Sequence, residues 1–181
     1  YRSSGALIPA KASHAFRLID SRYRVGFFTI NNQSTNYLPI AKFDNLASGS
    51  EAINQKSTWY LRLFNAVPSG STPLRSTLST VGRVFAGKKP VGTSDPMQYS
   101  CQQNFSLLTT DGYWNDSSTS VLDINGAVIG NLDGGTTPRP MYEGPTASSA
   151  SLSDTAKYYY DTDLRTNALA NCTGSLGLDV C

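Results

Sequence analysis

Histidine is almost missing from this chain of 181 residues: His14 is the only one. A mechanism in which histidine takes a proton from serine or cysteine must run through that residue, and no nucleophile-elbow motif accompanies it. Its position on a helical pattern marks it as a surface or boundary residue. Charge is sparse too, with 15% charged residues and a formal net charge of +2. Nucleic-acid binding needs basic residues gathered into a patch or stripe. Here the only lysine pair, Lys88-Lys89, lies between Gly87 and Pro90 and reads as a solvated loop. Nucleic acid is excluded as a partner on these grounds.

Long apolar runs are also wanting. None approaches the roughly 20 residues that span a bilayer, so no transmembrane segment is expected. Tyr1-Arg2-Ser3-Ser4 is not followed by the apolar core of a signal peptide; if the protein is exported, that signal lies upstream of Tyr1. Cysteine is limited to three residues. Cys172 and Cys181 flank Thr-Gly-Ser-Leu-Gly-Leu-Asp-Val, a flexible loop that a disulfide can close. Cys101 is then left over, either buried and free or paired outside this segment. Three reduced thiols are the alternative. What the chain does have is serine, threonine, asparagine and glycine in quantity, with ten tyrosines, a composition suited to work outside the cytosol.

Length allows one domain with a real core. Pro9 to Asp20 has a helical pattern, with Ala12, Phe16 and Ile19 on one face. Tyr23 to Asn31 is apolar on both faces, as in a covered strand, and Tyr37 to Phe43 follows as a strand kept to an edge by Pro39. A helix from about Ala52 to Ala66 carries Ile53, Trp59, Tyr60, Leu63 and Phe64, ended by Pro68-Ser69-Gly70. Thr72 reads as the N-cap of the next helix, with Pro73 at its first position and an apolar stripe of Leu74, Leu78, Val81 and Phe85. That helix stops at Gly87.

Asn104 to Thr109 reads as a short buried strand, parallel to Tyr23–Asn31, ending at Thr110-Asp111-Gly112. Residues 115–150 are rich in glycine, proline, serine and threonine and read as a long surface insertion with a hairpin around Leu122 to Ile129. Ser151 and Asp154 resemble a capping box opening a last helix through Leu152, Ala156, Tyr159/Tyr160 and Leu164. In Tyr158-Tyr159-Tyr160, one or two rings are expected to pack inward. Four amphipathic helices with two or three strands do not balance, since open sheets have about five or six strands. The pattern is that of an incomplete α/β domain.

Several segments, taken together, carry a resemblance: Ala15 to Asn31 (AFRLIDSRYRVGFFTIN), Val67 to Arg83 (VPSGSTPLRSTLSTVGR), Gln98 to Asn115 (QYSCQQNFSLLTTDGYWN), Gly126 to Gly134 (GAVIGNLDG) and Leu152 to Arg165 (LSDTAKYYYDTDLR). In order and spacing the chain resembles the PilY-type adhesins of type IV pili, with TTDGYWN the most specific stretch. The resemblance implies a von Willebrand factor A-like fold, a doubly wound, Rossmann-like sheet flanked by helices. Residues 1–181 would form one partial domain of that kind, starting inside the first helix and ending before the fifth strand. Ligands of such sheets bind outside the carboxyl ends of the strands. In many A-like domains an Asp-x-Ser-x-Ser loop, a threonine and an aspartate there hold a metal ion. Thr72 matches the threonine and Asp111 the aspartate; the Asp-x-Ser-x-Ser loop is absent. Hydroxyl, carboxylate and water suit Mg²⁺ or Ca²⁺. The intact domain is expected to take either ion, and this chain alone to bind it weakly or not at all. Without the resemblance, Thr72 is explained as a helix cap and Asp111-Gly112 as a turn.

Other motifs carry less. Asp123, Asn125, Asn131 and Asp133 do not follow the EF-hand spacing. Asn32, Asn104, Asn115 and Asn171 begin N-x-[ST] triplets, read as chance in so serine-rich a chain. The resemblance implies a non-enzymatic binding module at the pilus tip, contributing to surface attachment, pilus biogenesis and mechanosensing. Its partners would be minor pilins or other tip components and a host or abiotic receptor. Its place would be the cell surface, reached through the periplasm. A metal-free structural or fibre-forming scaffold is the alternative. A metal-dependent hydrolase lacks both a second carboxylate at ligand spacing and a usable histidine.

Overall fold

The computed structural model describes residues 12–31, 33, 36–44, 54–67, 69–88, 94–110, 112–132 and 148–181. The chain divides into two compact units, Tyr1–Gly70 with Thr109–Gly112, and Ser71–Leu108 with Tyr113–Cys181. It is a mixed α/β chain, and its only sheet among the described residues is a small antiparallel pair.

In the first unit, α1 is described over residues 12–16, followed by β1 (Arg24–Phe27), β2 (Leu38–Lys42) and α2 (Gln55–Phe64). β1 and β2 pair with Arg24 opposite Lys42, Val25 opposite Ala41 and Phe27 opposite Leu38. The ladder is irregular between Val25 and Phe27, where Gly26 admits the partner strand closely: a Cβ there would lie 2.7 Å from Ile40 Cγ1 and 2.9 Å from the Leu38 oxygen. Trp59 of α2 centres the core. It stacks on Phe16 at 4.5 Å between ring centres and meets Phe43 and Phe27 edge-on. Leu38, Phe43, Trp59 and Leu63 are buried, each such side chain contributing about 1.5–3 kcal/mol relative to exposure. Asn54 caps α2, its side-chain oxygen accepting from the Ser57 N–H at 2.7 Å. Pro39 leaves its strand one donor short. The Gln55 amide donates to both the Val25 and the Pro39 carbonyls at 2.6 Å. Lys56 Nζ donates to the Arg17 and Ile19 carbonyls just past α1 and lies 5.4 Å from the Phe43 ring centre.

The second unit holds α3 (Leu74–Phe85), a 3-10 turn (Ser118–Ser120), α4 (Leu152–Asp161) and a second 3-10 turn (Asn167–Leu169). Its glycine-rich parts form two hairpins, with bridges Leu122 to Val128 and Thr173 to Asp179. Cys172 and Cys181 are bonded across the second, with Cα atoms 5.0 Å apart, and Cys101 is free and exposed. Ser151 and Asp154 form a reciprocal capping box at the start of α4. Asp154 is fully buried and also accepts from the Leu132 N–H at 2.6 Å, which ties that loop to the helix.

Several expectations are corrected. Tyr23–Asn31 and Asn104–Thr109 do not form a parallel pair: β1 is antiparallel to β2, and residues 104–109 lie in no strand. A strand exists only where another backbone supplies the ladder, and none of the described residues does so for that segment. Nor is 115–150 merely a surface insertion. Val121, Ile124, Ile129 and Ala150 are buried, and Val121, Ile129 and Ala150 form one cluster against which Leu132, Tyr158 and Tyr159 pack. Glycine and serine there serve tight turns between buried aliphatics, a pattern without helical period. Residues 133–147 lie outside the described residues. In α2, Phe64 is exposed while Trp59 and Leu63 are buried, and Ile53 falls outside the described residues.

On α3 the buried set is Leu74, Thr77, Ser79, Gly82, Val84 and Phe85, while Leu78 and Val81 are half-buried. The helix is therefore covered on its small-residue side as well as along the apolar stripe. Gly82 is the contact point with α4, for a Cβ there would fall 2.2 Å from the Tyr159 ring. Tyr159 in turn donates its hydroxyl to the Leu122 carbonyl at 2.6 Å, and Ser79 donates to the same oxygen at 2.5 Å. Tyr158 packs inward and Tyr160 is exposed.

Candidate functional site at the start of the third helix

Of the two positions matched to a metal site, only Thr72 lies among the described residues. Thr72 is described, half-buried, two residues before α3. Asp111 lies outside the described residues, so the geometry of the pair is not defined. Thr72 is also not the N-cap. Pro73 takes that place, with a φ of −82° and no side-chain hydrogen bond. Proline fixes φ for the turn but has no donor or acceptor side chain, so the first N–H groups of α3 need a partner from elsewhere.

That partner is the segment Asn115-Asp116. Asn115 locks onto Thr72 in both directions: its side-chain oxygen accepts from the Thr72 N–H at 2.5 Å, and its own N–H donates to the Thr72 carbonyl at 3.1 Å. Asp116 accepts from the Ser76 N–H at 2.7 Å through one carboxylate oxygen and from Arg75 Nε at 3.0 Å through the other. A carboxylate at a helix N-terminus is favoured both by the open N–H groups and by the helix dipole. Both partners of the ion pair are nearly buried, with side-chain exposures of 11% and 6%. Arg75 also donates to the Ala150 and Asp116 carbonyls and sits 5.6 Å from the Trp114 ring centre. Burial pushes the Asp116 pKa up, but hydrogen bonds from Ser76 and Arg75 and the guanidinium charge outweigh it, leaving the carboxyl below its ordinary value.

The far end of α3 is held by a second buried pair. The helix stops at Phe85, and Gly87 follows with φ +71° beneath the Arg165 guanidinium. Arg165 donates to the Phe85 carbonyl at 2.7 Å and grips Asp95 with two nitrogens, at 2.6 and 3.0 Å. Asn171 adds its amide to the Ala86 and Leu164 carbonyls. A cation and amide donors are what a helix C-terminus calls for.

Among the described residues a hard dication would find few free oxygens here. Such an ion takes six or more oxygens. At this edge the described residues offer the Thr72 hydroxyl, which makes no hydrogen bond among them. The Asp116 carboxylate is committed to Ser76 and Arg75. Asp123, farther along, turns an oxygen to the Asn125 and Ala127 N–H groups at 2.8 Å, and Asp133 lies outside the described residues. Cys172, Asp179 and Cys181 gather closely enough for a metal, but two of the three are oxidised to a disulfide and are not thiolate ligands. His14 is exposed on α1, beside an open depression lined by Ser13, Arg17, Tyr60 and Phe64, with no carboxylate or thiol on its walls.

Sequence similarity extends what geometry leaves open. The chain is 29% identical over 195 aligned residues to the type IV pilus biogenesis factor PilY1 of Pseudomonas aeruginosa strain PAO1, covering 91% of this chain and 15% of that protein. The PilY1 of strain PAK is 28% identical over 193 residues with the same coverage, and that of strain UCBPP-PA14 is 32% identical over 120 residues, 61% of this chain. The chain is related to PilY1. It spans about 15% of the length of the curated relatives that match most of it. No family model matches the chain, and no solved structure matches it. No helix among the described residues is long and apolar enough to cross a membrane.

Asp116, Arg75, Asp95 and Arg165 were not singled out by the sequence as partners. Asn115 was visible as the end of the signature stretch, and Asp116 follows it directly, which was the available signal. Asp95 and Arg165 stand 70 residues apart and carry none.

Proposed function

We propose that the chain is a non-enzymatic segment of a type IV pilus tip protein that contributes to pilus biogenesis and surface attachment, with mechanosensing as an extension of that role. The relationship to PilY1 across 91% of the chain carries this reading. The anchored segment Trp114-Asn115-Asp116 gives the signature stretch a structural role, and the surroundings of His14 offer no catalytic pairing. The fold assigned to the intact domain is von Willebrand factor A-like, of which residues 1–181 are an incomplete part. Its partners are minor pilins or other tip components and a receptor on a host or abiotic surface, and its place is outside the cell. Exchanging the matching region of P. aeruginosa PilY1 for this chain tests the reading. Surface piliation should persist in the chimaera; a stable, exported chimaera without pili would refute it.

Thr72 and Asp111 are the assigned positions for Mg²⁺ or Ca²⁺ in the intact domain. A second reading, a metal-free scaffold, is favoured by one observation: Asp116, the carboxylate that reaches the start of α3, is already committed to the Ser76 N–H and Arg75. Calorimetric titration of this chain with either ion should give weak or no heat. Tight binding lost in Asp111→Ala would mean that the remaining ligands lie within residues 1–181, and would remove the scaffold reading.

A further inference from the structure

Between α1 and α2 lies a depression of about 250 Å³, lined by Ser13, His14, Arg17, Tyr60 and Phe64. On the α2 side its walls are aromatic. Tyr60 and Phe64 stand one helical turn apart, with rings 16° from parallel and centres 6.4 Å apart, and Phe64 is 57% exposed. The Tyr60 hydroxyl already donates to the Ser13 carbonyl at 3.1 Å, so its ring is what it has left to offer. On the α1 side the groups are donors. Arg17 and His14 are exposed, and neither side chain makes a hydrogen bond or an ion pair among the described residues. A guanidinium carries five N–H donors and no acceptor, and an imidazole presents an N–H in either protonation state. No carboxylate lines the depression. The nearest one in sequence, Asp20, turns its two oxygens to Arg22 Nε at 3.0 and 3.1 Å.

We propose that this depression binds a small carboxylate carried on one flat apolar ring. The charge complement is set by Arg17, whose guanidinium matches a carboxylate in paired, charge-assisted hydrogen bonds, with the His14 N–H beside it. The ring lies against Tyr60 and Phe64, where offset and edge-on aromatic contacts are favourable. Size follows from the volume: sites for drug-sized ligands run to about 300–1,000 Å³, and this one has room for a single ring. A polyhydroxylated ligand is a poorer match, because its hydroxyls call for acceptors and the walls carry no carboxylate.

The test is titration of the full chain with benzoate, followed by the amide signals of a nitrogen-15 correlation spectrum. Signals of Ser13, His14, Arg17, Tyr60 and Phe64 should shift together and saturate, with a Kd of about 1 mM. Benzyl alcohol, the same ring without the charge, should leave them nearly unmoved. Arg17→Ala should weaken benzoate binding about tenfold, the scale of a lost charge-assisted hydrogen bond, whereas Lys42→Ala removes the same charge elsewhere and should leave it unchanged. All three side chains concerned, Arg17, Lys42 and Phe64, are exposed, so Phe64→Ser can be added without loss of the fold and should weaken benzoate as well. Shifts that never saturate, equal shifts with benzyl alcohol, or a titration that Arg17→Ala does not change would each overturn the proposal.

Discussion

At the scale of single residues, side chains facing Gly82 and Asp116 decide more than their size suggests. Gly82 leaves room for the Tyr159 ring, whose hydroxyl holds the Leu122 carbonyl. Burial pushes the Tyr159 pKa upward, which keeps that hydroxyl protonated as a donor. Gly82→Ala places a methyl within the ring's own volume. Its better helix propensity recovers about 1 kcal/mol, less than overpacking against a rigid aromatic ring costs, about 1–3 kcal/mol. Urea denaturation should show net destabilisation, and a stabilised variant would mean that α3 and α4 do not meet as described. Asp116 titrates below its ordinary value in the folded chain. Its contribution is thus complete above the unfolded carboxyl value, about pH 4, and is lost as pH falls through the lower folded value. Asp116→Asn should flatten the acid side of a stability–pH profile, and at neutral pH it leaves the nearly buried Arg75 without its anion, at a cost of about 3 kcal/mol.

At the scale of elements, α3 is held at both termini by residues distant in sequence. Asp116 meets the N-terminal N–H groups, and Arg165 with Asn171 meets the C-terminal carbonyls. Asp95→Ala strands the Arg165 guanidinium beside the Phe85 carbonyl in a nearly closed setting, where breaking a buried pair costs about 3–5 kcal/mol. A thermal melt should reveal it as a large fall in Tm, whereas Lys157→Ala, at an ion pair whose aspartate is half exposed, should shift stability by less than about 1 kcal/mol. α4 has a local cap instead. Ser151→Ala removes the hydroxyl that accepts from the Asp154 N–H at 3.0 Å, a loss of about 1 kcal/mol. Asp154→Ala should cost more, because the Leu132 N–H loses its partner as well.

At the scale of the whole molecule, each compact unit has its own core: an aromatic cluster around Trp59 in the first, and aliphatic side chains with Tyr158 and Tyr159 in the second. The second is also closed by the Cys172–Cys181 bond, whose sequence separation is 9. A loop of that size restricts the unfolded chain by about 3 kcal/mol in the loop-entropy picture. Reduction should lower the denaturation midpoint accordingly. The 172–181 hairpin rests on Met97 through Ser175, which donates N–H and hydroxyl to its carbonyl at 2.8 and 3.0 Å. Hydrogen exchange at Ser175 should therefore accelerate first on reduction, and an unchanged rate there would show that the hairpin holds without its disulfide.

What the sequence determined by itself was local. The helices α2, α3 and α4, the Ser151–Asp154 capping box, the stop at Gly87 and the inward packing of one or two of the three tyrosines all follow from neighbours a few residues apart, where spacing and backbone chemistry are enough. The relationship of the chain to PilY1 was equally legible. Tertiary structure decided the rest. The strand at Asn104–Thr109 was expected from composition alone, but a strand also needs a second backbone and none of the described residues provides one. Thr72 yielded the capping role to Asp116, and Asp95 met Arg165, because partners of opposite charge far apart in sequence leave no periodic mark. Val121, Ile124 and Ile129 were hidden in a glycine-rich stretch for the same reason: their burial depends on α3 and α4 folding over them, an arrangement that no local pattern encodes.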